Sequence, residues 1–139
     1  MNTDDFIKNE DLSDERYNRY RPTIPIRIFG FLTDEDNIEG CEINISTDCS
    51  LSKMIPILND YFEWFKNCKQ EMISYFSEKL NEDLFDDWFE NIEVYNISVT
   101  LNSPDDFGAT VSFGESVFPD SIIEFDFEKF KIVDDRLTG

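Results

Sequence analysis

The chain has 139 residues, of which 40% are hydrophobic and 15% aromatic. A chain of this length buries about two-thirds of the surface that its unfolded form exposes, so its core needs no disulfide or metal. Its 14 Phe and two Trp exclude a disordered acidic tail. We therefore predict a single domain over residues 1–139.

The charge is strongly acidic, because 31 Asp and Glu face 12 Lys and Arg, giving a net charge of −19 with no His. Such a charge repels nucleic acid and anionic membranes and speeds encounters with basic proteins. The alternative is that the charge only keeps the protein soluble, and the composition leaves both interpretations open. The lack of His excludes His-based triads and His-ligated zinc.

Cysteine usage and the first residues indicate a cytoplasmic protein. The three thiols, Cys41, Cys49 and Cys68, are odd in number and form no CxxC pair, which favours reduced thiols. Residues 1–15 are acidic and do not predict a signal peptide. No segment approaches the roughly 18 apolar residues of a membrane span. We expect a soluble protein with no membrane partner.

The N-terminal third predicts an arm followed by strands. Residues 1–20 are charged and polar, and we expect a charged N-terminal arm or a weak helix there. The next two segments alternate with a period of two, which predicts a β-hairpin with strands near 26–32 and 40–46. A turn near 33–40 joins them.

The centre of the chain changes to a helical period. Apolar residues three or four apart predict amphipathic helix from Leu51 to Leu80, with Ser50 or Ser52 as the cap. The segment "NCKQ" either divides it into two helices or leaves it whole. "DLFDDWFENI" predicts a further short helix capped by Asp83.

The C-terminal third returns to a period of two. Alternation predicts three strands and a short fourth whose inward side chains are Tyr95, Ile97, Val99, Leu101, Phe107, Ala109, Val111, Phe113, Ile123, Phe125, Phe127, Phe130 and Ile132. Strands and helices that do not alternate along the chain indicate an α+β fold. We expect an antiparallel β-sheet of five or six strands, in β-β-α-α-β-β-β order, with helices packed on one face and the other face wet.

The sequence gives little support for a catalytic or a metal site. Cys49 precedes a predicted helix start and is the one candidate nucleophile. Asp34–Glu39 is rich in oxygen ligands, but Ile38 and Ile45 occupy ligand positions of the EF-hand pattern, so the pattern fails. A glycosidase-type carboxylate pair arises by chance among so many acids. We expect no catalytic residue, metal or cofactor.

Acids beside aromatic residues are the candidate binding residues. In "FDDWFENIE", acids surround a Trp as in an aromatic anchor with a charged rim, although a Trp more often belongs to the core. In "SIIEFDFEKF", acids occupy the outer side of a strand. Trp64 and Phe65 cannot both face inward on one helix, so one of them is more exposed. The candidate partner-binding residues are Asp86, Asp87, Trp88, Glu90, Glu124, Asp126 and Trp64.

Three segments carry a family resemblance. Trp88 precedes a strand in "WFENIEVYNISVTL", Phe118 precedes a polar turn and an apolar strand in "VFPDSIIEF", and "IVDDRLTG" closes the chain. Over about 29–139 the chain thereby resembles a family of small bacterial domains placed among the immunity proteins of polymorphic toxin systems. Members often carry Gly-His where this chain has Asp120 and Ser121. The resemblance implies an α+β domain that neutralises a toxin by binding it, without catalytic residues.

Three functions remain open at this stage. An acidic immunity-type inhibitor of a basic toxin or nuclease-like effector fits the charge, because nuclease surfaces that bind phosphate are basic. A nucleic-acid mimic from a phage or mobile element needs rows of carboxylates, whereas the acids here are dispersed. A carboxylate-based metal-dependent hydrolase is the third. We expect no direct nucleic-acid binding, and an uncovered edge strand offers a route to a homodimer.

Overall fold

The computed structural model of the protein describes residues 2–24, 27–28, 31–32, 40–84 and 86–138. Helices α1 (Leu51–Lys66), α2 (Lys69–Leu80) and α3 (Asp86–Glu90) lie together in the middle of the chain. The strands are β1 (Phe6–Lys8), β2 (Tyr17–Pro22), β3 (Arg27–Ile28), β4 (Phe31–Leu32), β5 (Cys41–Ser46), β6 (Glu93–Ser103), β7 (Asp106–Gly114), β8 (Ile122–Glu128) and β9 (Lys131–Thr138).

The main sheet has seven strands in the order β1-β2-β5-β6-β7-β8-β9. β5 and β6 pair in parallel, with Cys41 opposite Ile97, and the other neighbours are antiparallel. The predicted α+β class is confirmed, but the expectation of five or six strands in an antiparallel sheet is wrong. The helices that connect β5 to β6 bring the chain back to the end of the sheet where β5 begins, so the two strands run in the same direction.

The N-terminal segment supplies two of the additional strands. Residues 1–20 were expected to form an arm or a weak helix, yet β1 and most of β2 lie there. The sequence "YNRYRP" of β2 contains two Tyr, which favour strands. Phe6 of β1 is buried and lies opposite Pro22 of β2. Pro22 has no amide hydrogen to donate to the hydrogen bonds between the strands, and such residues occur near the edge of a sheet.

The predicted hairpin between 26–32 and 40–46 is also wrong. β3 pairs with β4 in a separate two-stranded sheet, and β5 pairs with β2 instead, with Tyr20 opposite Ile43. Local alternation identifies a strand but carries no information about a partner that lies twenty residues away. The predicted turn, residues 33–40, lies outside the described residues except for Gly40.

The helices follow the sequence pattern closely. Ser50 caps α1, since its Oγ accepts a hydrogen bond from the Lys53 amide at 3.3 Å. The break between α1 and α2 falls at residues 67–68, inside "NCKQ". α2 ends at Leu80 and is capped by Asn81, whose left-handed conformation (φ 55°) is common for Asn after a helix. α3 is five residues long and begins at Asp86, later than the predicted cap at Asp83.

Alternation along the strands separates two faces of the sheet. The helix face is apolar and meets all three helices, with ring contacts such as Phe65 on Phe127 and Phe76 on Phe125. Its buried strand residues are Cys41, Ile43, Ile45, Ile97, Val99, Leu101, Phe107, Ala109, Val111, Phe113, Ile123, Phe125, Phe127 and Ile132. The predicted inward set is thus confirmed except at two positions. Tyr95 lies at a β-bulge and Phe130 at the β8–β9 turn, and both are exposed.

The other face, which we call the open face, carries polar side chains, and no helix of the described chain packs on it. Its residues are Glu42, Asn44, Ser98, Thr100, Thr110, Ser112, Glu124, Asp126, Asp134 and Arg136. The prediction of one wet face is therefore confirmed in outline. Asn44 and Ser112 are nevertheless buried, because their neighbours on adjacent strands cover them.

Candidate functional site

The acids of β8 lie on the open face and are held by Arg136 of β9. The guanidinium donates to Glu124 Oε2 through Nε at 3.1 Å and Nη2 at 2.9 Å, and to Asp126 Oδ1 through Nη2 at 3.0 Å. β7 supplies further donors, since Thr110 binds Asp126 at 2.8 Å and Ser112 binds Glu124 at 3.2 Å. Both carboxylates are thus committed to partners within the chain.

These contacts shift the titration of the cluster. Hydrogen bonds from Arg136, and then from Thr110, lower the pKa of Asp126 below its ordinary value of 3.8, while desolvation opposes them. Hydrogen bonds to Asp126 and Glu124 in turn raise the pKa of Arg136. A carboxylate with a lowered pKa is a poor general base. Glu124 and Asp126 therefore form a small ion-pair network, with one residual negative charge shared among three groups.

The polar ladder continues across the open face to β5. The Asn44 amide donates to Ser98 Oγ at 3.2 Å and to the Val99 carbonyl at 3.3 Å, while its own Oδ1 is buried without a hydrogen-bond partner. Beyond it, Arg19 of β2 lies 3.9 Å from Glu42. This face therefore presents matched polar groups rather than a strip of free acids.

Trp88 of α3 lies in the core. It is 3% exposed and stacks on Phe76 with ring centroids 5.2 Å apart. Its indole N–H donates to Glu115 Oε2 at 2.8 Å. Glu115 is itself buried and also accepts the amide hydrogens of Val117 and Phe118, at 2.6 Å and 2.8 Å. This carboxylate therefore ties α3 to the loop between β7 and β8.

Asp87 and Glu90 of α3 are exposed, and so are three acids at the end of α2 and in the loop that follows it. We define the acidic rim as the exposed residues Glu78, Glu82, Asp83, Asp87 and Glu90. The first three of them line a shallow hollow of about 290 Å³. Lys69, 3.9 Å from Glu90, provides the ion pair that the structure shows for this set. Asp86 is the first residue of α3.

Trp64 belongs to an aromatic cluster at the β8–β9 turn. Its ring lies 5.6 Å from that of Phe127 and 5.7 Å from that of Phe130. Phe65 is fully buried and Trp64 only partly so, which confirms that the two neighbours do not both face inward. Phe130 is 47% exposed and extends the cluster to the surface. Trp64 is therefore a half-buried support for an exposed Phe.

The candidate binding residues fall in three separate places. Glu124 and Asp126 lie on the open face, whereas α3 and Trp64 lie on the helix face. On that face α3 meets the loop that precedes β8, and Trp64 meets the turn that follows it. No flat contact surface includes the six of these residues whose side chains the structure describes. Of the three places, the acidic rim keeps the most exposed and least compensated charge.

A hollow of about 510 Å³ lies where β1, β2 and β5 meet. Its lining includes the bases Lys8, Arg19 and Arg21 and the acids Glu10, Asp11 and Glu42. Lys8 lies 3.6 Å from Glu10, and Arg19 lies 3.9 Å from Glu42. The charges are therefore balanced, and the hollow selects neither anions nor cations.

The thiols differ in their surroundings. Burial raises the pKa values of Cys41 and Cys68 to about 12, which suppresses thiolate formation. Cys49 is partly exposed, and its Sγ lies 3.6 Å from the Asn102 carbonyl, which accepts a weak hydrogen bond from the thiol. No base contacts it among the hydrogen bonds of the described residues.

Two further expectations concern metal and membrane. Within the described ranges, no group of three or more His, Cys, Asp and Glu is arranged to hold a metal ion. The acidic segment Asp34–Glu39 lies outside those ranges. None of the described helices is long and apolar enough to cross a membrane.

Comparison with known proteins finds no match: no family model, curated protein or solved structure is significantly similar to the chain. The charge and geometry of the chain itself therefore carry the functional conclusion.

Proposed function

We propose that the chain is a non-catalytic, cytoplasmic binding protein that neutralises a basic partner protein in the manner of an immunity-type inhibitor. One observation carries this proposal: many of the bases are already engaged, while the acidic excess remains. The bases with ion-pair partners are Lys8, Arg19, Lys66, Lys69, Lys79 and Arg136. The remaining acids outnumber the bases and give the chain its net charge of −19. That excess attracts a basic surface and accelerates its approach.

The acidic rim is the best-supported place for electrostatic contact. Its acids are exposed on α2, on α3 and on the loop between them, so several negative charges of this region are accessible to a partner. Glu124 and Asp126 contribute less, because Arg136 already compensates them. Exposed charges of this kind raise association rates more than they raise final affinity. The partner accordingly has a basic surface opposite the rim.

The hydrolase alternative has less support from the described side chains. The hydroxyls of Thr110 and Ser112 do bind carboxylates, but those carboxylates are held by Arg136 and Ser112 is buried. The wide distribution of the acids over both faces gives the nucleic-acid mimic no particular support either.

Capture followed by reconstitution tests this function. The tagged chain is incubated with a lysate of its own host at low salt, and the recovered proteins are purified and titrated against the chain by calorimetry. We expect a basic protein that binds stoichiometrically and whose toxicity to the host is suppressed by the chain. Recovery of no basic protein, or of one that does not bind after purification, contradicts the proposal.

A charge-reversal pair locates the contact. Glu82→Lys with Asp87→Lys reverses two rim acids, and Asp60→Lys with Glu63→Lys makes the same change on the exposed side of α1. We expect the rim pair to slow association with the captured protein about tenfold more than the α1 pair does. Equal effects of the two pairs contradict a rim contact.

A further inference from the structure

The last strand of the sheet presents a long free edge. β9 runs for eight residues and, among the described strands, pairs with β8 alone. An edge strand exposes unpaired amide and carbonyl groups that can pair with another chain. β1 at the opposite edge is three residues long and offers far fewer such groups. The two edges therefore differ strongly in their capacity to accept a further strand.

β9 is also flanked by exposed apolar side chains. Phe130, Val133 and Leu137 are 47%, 47% and 52% exposed, and Ile122 of β8, opposite Thr138, is 43% exposed. These four account for a large share of the exposed large hydrophobic residues in the described chain. Apolar contact alongside open backbone groups is the composition of a strand-addition site.

A hollow beside β9 is suited to one kind of side chain. Glu71, Tyr75, Phe130, Lys131 and Ile132 line a groove of about 210 Å³ between α2 and the start of β9. Phe130 and Ile132 can pack against an aliphatic stem, and the exposed Glu71 carboxylate can bind an ammonium or guanidinium at its tip. A Lys or Arg side chain meets both requirements.

The edge is held in place before any partner arrives. Tyr75 of α2 donates its hydroxyl hydrogen to Asp135 of β9 at 2.7 Å, and Lys79 lies 3.3 Å from the same carboxylate. Arg136 ties β9 to β8 on the open face. A preorganised edge loses little conformational entropy when a strand is added.

A second copy of the chain is a poor occupant of this edge. Antiparallel pairing of two β9 strands about the centre of the strand places Asp134 or Asp135 opposite the same residue of the copy, and like charges directly opposite are destabilising. Each copy also carries a net charge of −19. A basic segment avoids this repulsion between Asp residues, and among the described residues Lys131 is the one base that lines the hollow itself.

We propose that an extended, basic segment of the partner protein adds to β9 as a further strand of the sheet and places a Lys or Arg side chain in the hollow beside Glu71. This inference rests on the proposed function, because it assumes a basic partner.

Two synthetic peptides test it. One has four Lys-Val repeats, and the other has the same Lys residues with every second Val replaced by Pro, which cannot complete a strand ladder. Each is titrated into the full chain labelled with nitrogen-15. We expect the Lys-Val peptide to bind about tenfold tighter than its Pro counterpart and to slow hydrogen exchange at residues 131–138 but not at 6–8.

Matched variants test the hollow. Glu71→Lys reverses the acid in the hollow, and Glu63→Lys makes the same change on α1, where Glu63 lies 3.1 Å from Lys66. We expect Glu71→Lys to lower the affinity of the chain for the Lys-Val peptide about tenfold. Glu63→Lys should lower the same affinity about twofold at most. Thermal unfolding of both variants shows whether the fold is retained, because both residues are exposed.

The remaining outcomes overturn the inference. The first two are equal affinities of the two peptides and no binding by either peptide. The other two are slowed hydrogen exchange at β1 or over the helices, and slowed exchange at β9 that self-association causes without peptide. Equal binding spread over the acidic surface leaves the proposed function intact, since a basic ligand still binds. The proposed function fails separately, when no basic protein of the host forms a complex.

Discussion

The two faces of the seven-stranded sheet use the same strands but are stabilised in different ways. On the helix face, aromatic rings pack closely, with Phe113 and Phe125 at 5.0 Å and Phe65 and Phe127 at 5.1 Å. On the open face, hydrogen bonds and ion pairs centred on Arg136 connect neighbouring strands. Apolar burial supplies most of the stability of a domain, whereas exposed ion pairs supply little. The helix face therefore supplies most of the stability of the fold, and the open face supplies less.

The largest difference between the faces is expected at β8. Phe125→Ala removes a fully buried ring from the helix face and should lower the free energy of unfolding by about 3–5 kcal/mol. Ile122→Ala, three residues earlier and 43% exposed, should cost less than about 1 kcal/mol. Urea unfolding of both variants measures the contrast. Similar losses for the two variants contradict the division of the sheet into a stabilising and a free face.

The second-largest loss of stability is expected when the buried carboxylate of Glu115, which joins α3 to the loop before β8, is removed. Glu115→Ala leaves the Trp88 indole N–H and the amide hydrogens of Val117 and Phe118 without their acceptor, at an expected cost of about 1–3 kcal/mol. Ser116→Ala, an exposed neighbour, is the matched control. Trp fluorescence during denaturation reports the effect. A loss no larger than that of Ser116→Ala shows that the carboxylate is not needed.

A smaller effect is expected on the open face. Asp126→Asn weakens the contacts with Arg136 and Thr110 and should cost about 1 kcal/mol. Glu128→Gln, at the exposed end of the same strand, is its control. If Asp126→Asn costs as much as Phe125→Ala, the open face contributes to stability as strongly as the helix face.

The same cluster gives a pH dependence with a defined sign. Because the folded pKa of Asp126 lies below its ordinary value of 3.8, its contribution is present above pH 3.8 and is lost as the pH falls through the lower folded value. Arg136→Ala removes the main cause of that shift. We expect the stability of Arg136→Ala to fall less steeply than that of the native chain below about pH 4. Parallel pH profiles for the two proteins contradict this origin of the shift.

Thiol reactivity distinguishes the interior from the exterior without changing the fold. Cys49 is partly exposed, whereas Cys41 and Cys68 are buried and their pKa values are raised to about 12. Iodoacetamide should therefore modify Cys49 in the native chain well before the other two, and mass spectrometry identifies the modified peptide. All three thiols should react in denaturant, which is the control. Early modification of Cys41 or Cys68 contradicts the packing of the helix face.

Local features of the fold could be predicted from the sequence. The alternation of Ile123, Phe125 and Phe127 identified their burial, and Ser50 identified the start of α1. Strand pairing could not be predicted in the same way, because the choice of β2 by β5 and the parallel pairing of β5 with β6 depend on distant segments. Tyr95 was placed inward because a β-bulge does not alter the residue types around it.

The candidate site shows the same limit. The outward orientation of Glu124 and Asp126 followed from alternation, but their pairing with Arg136 depends on the register of β9. Composition alone could not decide whether Trp88 is core or anchor, because the decision depends on Glu115, which lies 27 residues away. The exposed edge of β9 was missed, since a strand order is needed to identify an edge.

The central claim, that an uncompensated acidic exterior binds a basic protein, is tested most directly by the salt dependence of association. Stopped-flow mixing of the chain with the purified captured partner gives the association rate constant at about 50 and 500 mM NaCl, where the Debye length falls roughly threefold. We expect the rate constant to fall by about tenfold or more at the higher salt. A rate constant that does not change with salt, or a partner without net positive charge, contradicts the claim.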